Sequence, residues 1–195
     1  MATVIEAATT DVPLPDRYEV INGEIVEVPP VSGFSGEVAN RVRDELTVYA
    51  HTSRRGRARN DMLFRVPLRK DRGRNREPDA AFITFERWPA DRPLPYRGNT
   101  VDVVPNLMVE VVSPTDDAEA LLAKAHEYLR AGAELVWLVY PRVRQIYAYS
   151  DTRRPPQVFT ETDTLDGGDV LPGFTAAVAD LFPPVTGLPE PTDDE

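Results

Sequence analysis

The segment Leu107-Met-Val-Glu-Val-Val112 sets one carboxylate among five apolar side chains. A run so continuously apolar predicts a strand buried on both faces, which requires packed structure over each side of its sheet. The fold class this points to is α/β. Glu110 is the exception inside that strand. An unpaired carboxylate in a low-dielectric interior costs several kcal/mol or more, so Glu110 must be paired, protonated or bound to a cation. The same holds for Asp79, which follows Pro78 at the head of the apolar run Ala80-Ala-Phe-Ile83. If the two acids converge, their repulsion raises at least one pKa unless a divalent ion sits between them. For either acid alone, a salt bridge to an arginine is the competing explanation.

The remaining chain supplies the layers. Asn22-Gly23 between two β-prone runs is a hairpin signal, because a type I′ turn needs positive φ at both central residues. Ser35 is placed to cap a helix running to about His51, with Val38, Val42, Leu46 and Tyr49 on one face. A strand pair, roughly 58–68 and 80–85, is joined by the polar turn 70–75, and a Pro-rich loop covers 88–99. A second helix begins at Ser113–Asp117, where Asp116 and Glu119 have capping-box spacing, and ends at Gly132. Two further strands, 134–140 and 145–149, an edge strand at 157–160, a Gly-rich turn at 166–169 and a short helix ending near Phe182 complete a mixed sheet flanked by helices. At 195 residues the chain is expected to form one domain, taking ~150 residues as a soft prior. That domain spans 17–182, between an N-terminal tail (1–16) and an acidic C-terminal tail (183–195).

Composition narrows the chemistry. The chain has no cysteine and only two histidines, which excludes thiolate and multi-histidine metal sites. Hard cations held by oxygen, Mg2+ or Mn2+, are the ones left. No glycine loop of the phosphate-cradling kind occurs. The first sixteen residues lack the basic and apolar stretches of a signal peptide, and the longest apolar run, Leu135 to Tyr140, is far short of ~20 residues. A cytoplasmic protein with no membrane partner is the expectation.

The net charge of −10 argues at first against nucleic acid, but its distribution does not. Seven acids and no bases lie in residues 1–16 and 188–195, whereas residues 54–76 hold ten bases against Asp61 and Asp71. Beyond a Debye length of ~8 Å the tails are screened, so this block can attract phosphates by itself. Arg54, Arg55, Arg57, Arg59, Arg72, Arg74 and Arg76 are therefore candidate nucleic-acid ligands, with the last three expected on an exposed polar turn. A solvated arginine-rich hairpin is the other reading of the block.

Lys124 is one of two lysines among 22 basic residues. It falls at the rim of the second helix's buried stripe, beside Tyr128, where a compact ammonium can do what a broad guanidinium cannot. A snorkelling surface lysine is the alternative.

Taken together, Pro78-Asp79, Glu110 and Lys124 resemble the PD-(D/E)XK nuclease superfamily, and more closely its Uma-type family of restriction endonucleases. The resemblance runs in order through Arg17-Tyr-Glu-Val-Ile-Asn-Gly-Glu24, Pro78-Asp79-Ala-Ala-Phe-Ile and Pro105-Asn-Leu-Met-Val-Glu-Val-Val-Ser-Pro-Thr-Asp116. It continues through Lys124-Ala-His-Glu-Tyr-Leu-Arg-Ala-Gly132, Val136-Trp-Leu-Val-Tyr-Pro141, Thr164-Leu-Asp-Gly-Gly-Asp-Val-Leu-Pro-Gly-Phe174 and Leu181-Phe182. It implies a restriction-endonuclease-like fold, a magnesium site at Asp79 and Glu110, and metal-assisted hydrolysis of DNA phosphodiester bonds with Lys124 as a catalytic residue. Glu24, by family similarity, and Glu37, by helix position, are candidates for an additional acid near the metal. A homodimer is the partner state that cuts two strands most simply. Two departures stand out: Val112 occupies the usual lysine position, the lysine having moved to the helix, and Ser35 stands where similar sequences often carry histidine. These departures favour the rival reading, a catalytically inactive protein of nuclease fold that binds DNA or a protein partner.

Overall fold

The computed structural model describes residues 4–5, 14–29, 32–95 and 100–184. Most of both expected tails (1–3, 6–13 and 185–195), part of the expected Pro-rich loop (96–99) and residues 30–31 lie outside the described residues. The chain runs β1 (Val4–Ile5), β2 (Tyr18–Ile21), β3 (Glu24–Glu27), α1 (Gly33–Ser53), β4 (Gly56–Arg59), β5 (Leu63–Arg65), β6 (Asn75–Arg76), β7 (Ala80–Thr84), β8 (Thr100–Val101) and β9 (Leu107–Val111). It continues with α2 (Ala118–Ala131), β10 (Leu135–Tyr140), β11 (Gln145–Tyr149), β12 (Gln157–Phe159), β13 (Thr164–Gly167), β14 (Leu171–Ala177) and α3 (Val178–Leu181).

The apolar strand β9 lies inside a six-stranded sheet of order β12-β11-β10-β9-β7-β4. Its pairing with β10 is parallel and every other pairing in that sheet is antiparallel, so the sheet is mixed. Side chains alternate across it, as the pleat demands. Leu107, Val109 and Val111 pack with Phe82, Trp137 and the α1 stripe Val38, Val42, Leu46 and Tyr49. Met108 packs the other way, with Ile83, Leu138 and α2 residues Leu121, Ala125 and Tyr128. Glu110 shares the parity of Met108, so the strand aims its one carboxylate at α2.

Both helices begin one to three residues from where their capping residues were expected. Ser32 caps α1 by accepting from the Ser35 N–H, which leaves Ser35 buried in the first turn. Asp117, not Asp116, caps α2 through Ala120 N–H, while Asp116 accepts from Ser113 N–H in the preceding turn. Gly132 ends α2 at φ 114°, a conformation strained for residues with a Cβ. The Asn22-Gly23 turn has φ of 53° and 82°, the hairpin geometry its sequence predicts.

The expected strand 58–68 is two strands in two sheets. Asp61 takes a left-handed φ of 50°, one that Asn and Asp adopt more readily than most residues, and turns the chain out of the central sheet after β4. β5 then joins a second sheet of order β1-β3-β2-β6-β5-β8. In it, β6 pairs with the hairpin strand β2 through Val20 and Asn75. β1, inside the expected N-terminal tail, pairs antiparallel with β3. A hairpin not anticipated from sequence, β13–β14, lays buried Leu165, Leu171 and Phe174 over the α1 side of the core. No helix among the described residues is long and apolar enough to cross a membrane.

Candidate active site

One face of α2 meets Glu110 with two donors a turn apart. Lys124 Nζ lies 2.9 Å from Glu110 Oε2, and Tyr128 donates its hydroxyl to Oε1 at 2.5 Å. The i,i+4 spacing of the two donors brings them to the same patch, and the return of α2 over the strand that feeds it supplies the rest. Asp79 comes from the adjacent strand. The β7–β9 register pairs Ala80 with Val109, and one further step sets Asp79 across from Glu110, where directly opposed residues share a face with Cβ atoms ~5 Å apart. Asp79 Oδ2 accepts from Val111 N–H at 2.7 Å.

A third acid arrives from the hairpin. Glu19 on β2 is buried, with Oε1 3.2 Å from Lys124 Nζ and Oε2 2.5 Å from Arg76 NH1. Lys124 thus bridges Glu110 and Glu19. The charges continue away from the site in alternation. Arg76 NH2 donates to Glu127 Oε2 at 2.5 Å, Glu127 Oε1 accepts from Arg74 at 2.6 Å, and Arg74 Nε reaches Asp71 at 2.9 Å. Asp71 in turn holds the Asn22 N–H of the hairpin turn at 2.7 Å.

Burial dominates the titration of the two strand acids. It pushes Glu110 up to about 7, with Asp79 and Glu19 adding to the rise and Lys124 opposing it. Burial likewise raises Asp79, against the pull of the Val111 N–H and the Lys124 charge. Burial alone would raise Glu19 too, but the adjoining Lys124 and Arg76 cations hold its carboxyl below the ordinary range. Burial disfavours the Lys124 ammonium, yet Glu110 and Glu19 together raise its pKa.

These groups line a cleft of about 430 Å³ between the β2–β3 hairpin, the end of β9 and the start of α2. Among the described residues no group of three His, Cys, Asp or Glu side chains is arranged to cage a metal ion. A carboxylate pair is nonetheless a fitting donor set for Mg2+ or Mn2+. Mg2+ keeps several waters and typically binds through one or two carboxylates plus a substrate phosphate. Two desolvated carboxyls with raised pKa values are what such a cation relieves.

Asp79, Glu110 and Lys124 are therefore brought together. Glu24 and Glu37 are not: Glu24 is exposed at the start of β3, and Glu37 is exposed on α1, paired with Arg41. Neither lines the cleft, whereas Glu19, Glu27, Glu77, Asp116 and Asp117 do, and of these Glu19 is the one paired with Lys124. The arginine block divides as well. Arg54 and Arg55 are exposed, and Arg57 lies over the Trp88 ring at 4.6 Å. Arg59 is half-buried, bonded to its own neighbour's carbonyl. Arg57 and Arg59 pair with Ile83 and Ala81, whose parity puts them on the α2 side of the sheet, the side of Glu110. Arg72 is exposed, but the expectation of an exposed turn fails for Arg74 and Arg76. Both are buried, because β6 pairs with β2 and draws them against Glu127 and Glu19.

Sequence reasoning missed Glu19, Glu127 and the polar role of Tyr128. Tyr128 was legible only as core, although its spacing from Lys124 was a signal. Glu19 carried none, since nothing local to the hairpin says which element its second face meets.

Residues 9–179 match the model of a family, Uma2, described as "Putative restriction endonuclease". Among solved structures the fold is similar to the crystal structure of "a putative nuclease belonging to DUF820" from Anabaena variabilis ATCC 29413. The TM-score is 0.72 and the identity 17%, over 88% of this chain and 93% of that one. No curated protein matches the chain.

Proposed function

The chain belongs to the Uma2 family, and from that premise we propose that it is a divalent-metal-dependent endonuclease of the PD-(D/E)XK type, hydrolysing DNA phosphodiester bonds through Asp79, Glu110 and Lys124. The observation that carries this reading is the meeting of three residues, distant in sequence, in one cleft, with Lys124 Nζ 2.9 Å from Glu110.

Asp79 and Glu110 would hold Mg2+ or Mn2+, which when bound supplies charge stabilisation at the phosphoryl oxygens and a more acidic water. The protein's own groups do the rest. Lys124 keeps a positive charge in the cleft where negative charge builds on the phosphate. Tyr128 fixes the Glu110 carboxyl by its hydroxyl, so the acid is oriented before substrate arrives. The exposed Arg54 and Arg55, with Arg57 and Arg59 on the site's side of the edge strand β4, form the cationic path for the DNA backbone. A second copy of the chain would place two such sites on one duplex.

Purified protein is expected to nick or linearise supercoiled plasmid with added Mg2+, and Asp79→Asn to lose that cleavage while melting as a folded protein. Wild-type cleavage rates in Asp79→Asn, or rates unaffected by chelation, overturn the assignment. The rival, a DNA-binding protein without catalysis, is favoured by one feature: both Glu110 oxygens are already engaged, by Lys124 and Tyr128. DNA binding by the wild type with no cleavage under any divalent cation would select it.

A further inference from the structure

Three cations line the cleft, and two of them are committed. Arg76 gives its guanidinium to Glu19 and Glu127, and Lys124 divides its ammonium between Glu110 and Glu19. Arg17 differs. It lies just before β2, and its Nε donates to Glu77 Oε1 at 2.9 Å. The Arg17 side chain keeps 28% exposure while its anchor, Glu77, keeps 3%. Among the described residues its two terminal nitrogens have no hydrogen-bond partner. A buried carboxylate therefore grips one edge of the guanidinium and leaves the other edge toward a cleft that also contains Asp79 and Glu110.

We propose that Arg17 is a phosphate-binding residue of this cleft, its terminal N–H pair, without a partner among the described residues, taking the non-bridging oxygens of the substrate phosphodiester, with Glu77 as its positioning residue. The planar fork of a guanidinium matches two phosphate oxygens at once, which an ammonium cannot do. Anchoring at Nε removes much of the side-chain freedom that such a contact otherwise costs. Glu77 is itself fixed, because its N–H donates to Glu19. The identity of the anion as a phosphodiester rests on the nuclease reading; the anchored fork does not.

The test uses the full chain and a short fluorescein-labelled DNA duplex, with anisotropy read in Ca2+ and plasmid cleavage read in Mg2+. Arg17→Gln is expected to weaken binding about ten- to a hundredfold, the worth of a charged hydrogen bond, and to raise KM more than it lowers kcat. Arg17→Lys should recover only part of the binding, and Glu77→Gln should weaken it in the same direction by loosening the anchor. A merely structural arginine would lower the melting temperature and leave Kd unchanged. A folded Arg17→Gln protein with wild-type Kd overturns the proposal, as does full wild-type affinity in Arg17→Lys. Should Arg17→Gln fail to fold, Arg17→Lys decides, since it keeps a cation for Glu77. If the wild type never cleaves, the nuclease reading falls while anisotropy still settles Arg17.

Discussion

At the scale of single residues, Glu110 ties stability to pH in a direction opposite to that of most carboxylates. Its pKa is raised from 4.5 to about 7, so between those values the folded state binds more protons than the unfolded one. Its contribution is thus complete below pH ~4.5 and is lost as pH rises to about 7, a decline of up to about 3 kcal/mol. Urea midpoints measured across that window should fall with pH in the wild type relative to Glu110→Gln, which has no proton to lose there. Tyr128→Phe removes the buried donor to Oε1 and should cost about 1–3 kcal/mol. It also withdraws a hydrogen bond to the ionised form, so Mg2+ binding, which needs that form, should shift to higher pH. Calorimetric titration with Mg2+ at several pH values checks the shift. The sequence showed that Glu110 had to be compensated, because a lone charge in an apolar strand is expensive wherever the strand lies. It could not show that the compensation comes from Lys124 and Tyr128 on α2, which is a property of docking.

At the scale of elements, the α1–β4 junction and β6 carry superficially similar arginines with opposite duties. Charge reversal at Arg54 and Arg55 should leave stability within ~0.5 kcal/mol, as for other exposed sites, and weaken DNA binding with a flatter salt dependence. Reversal at Arg76 instead faces buried Glu19 and half-buried Glu127 with a third acid and should cost about 3 kcal/mol or more, about what a broken buried pair costs. Denaturant melts of the two sets of variants, set beside their DNA affinities, separate the duties. Pairing of β4 has its own weak point: a Cβ added at Gly56 would overlap the Ile83 carbonyl and lie 2.8 Å from the Phe82 ring. What was readable here followed from periodicity. The α1 stripe, the Asn22-Gly23 turn, the doubly buried β9 and the β10–β11 pair all stand where pattern put them. The break at Asp61 and the β13–β14 hairpin were not readable, since one depends on a single left-handed residue and the other on a strand, β14, whose pattern is interrupted by Pro172 and Gly173.

At the scale of the whole molecule, the two sheets are joined by a file of alternating charges from Asp71 through Arg74, Glu127, Arg76 and Glu19 to Lys124. Glu127→Ala leaves both Arg74 and Arg76 short of a partner and should weaken the coupling of the hairpin sheet to α2, leaving among the described residues only the Glu19–Lys124–Glu110 ion pairs. Amide hydrogen exchange is expected to show β2 and β9 opening together in the wild type. In the variant, β2 should open at lower free energy while β9 stays protected. The same file bears on the fold's behaviour without the metal ion proposed above. Lys124 already sits between Glu110 and Glu19, so the acids have a resident counter-ion supplied by the chain itself. Folding then does not wait on mineral supply, unlike small domains that collapse when their zinc is stripped. Under the proposed metal dependence, chelation is expected to stop cleavage while the protein keeps its shape, and restored Mg2+ to bring cleavage back.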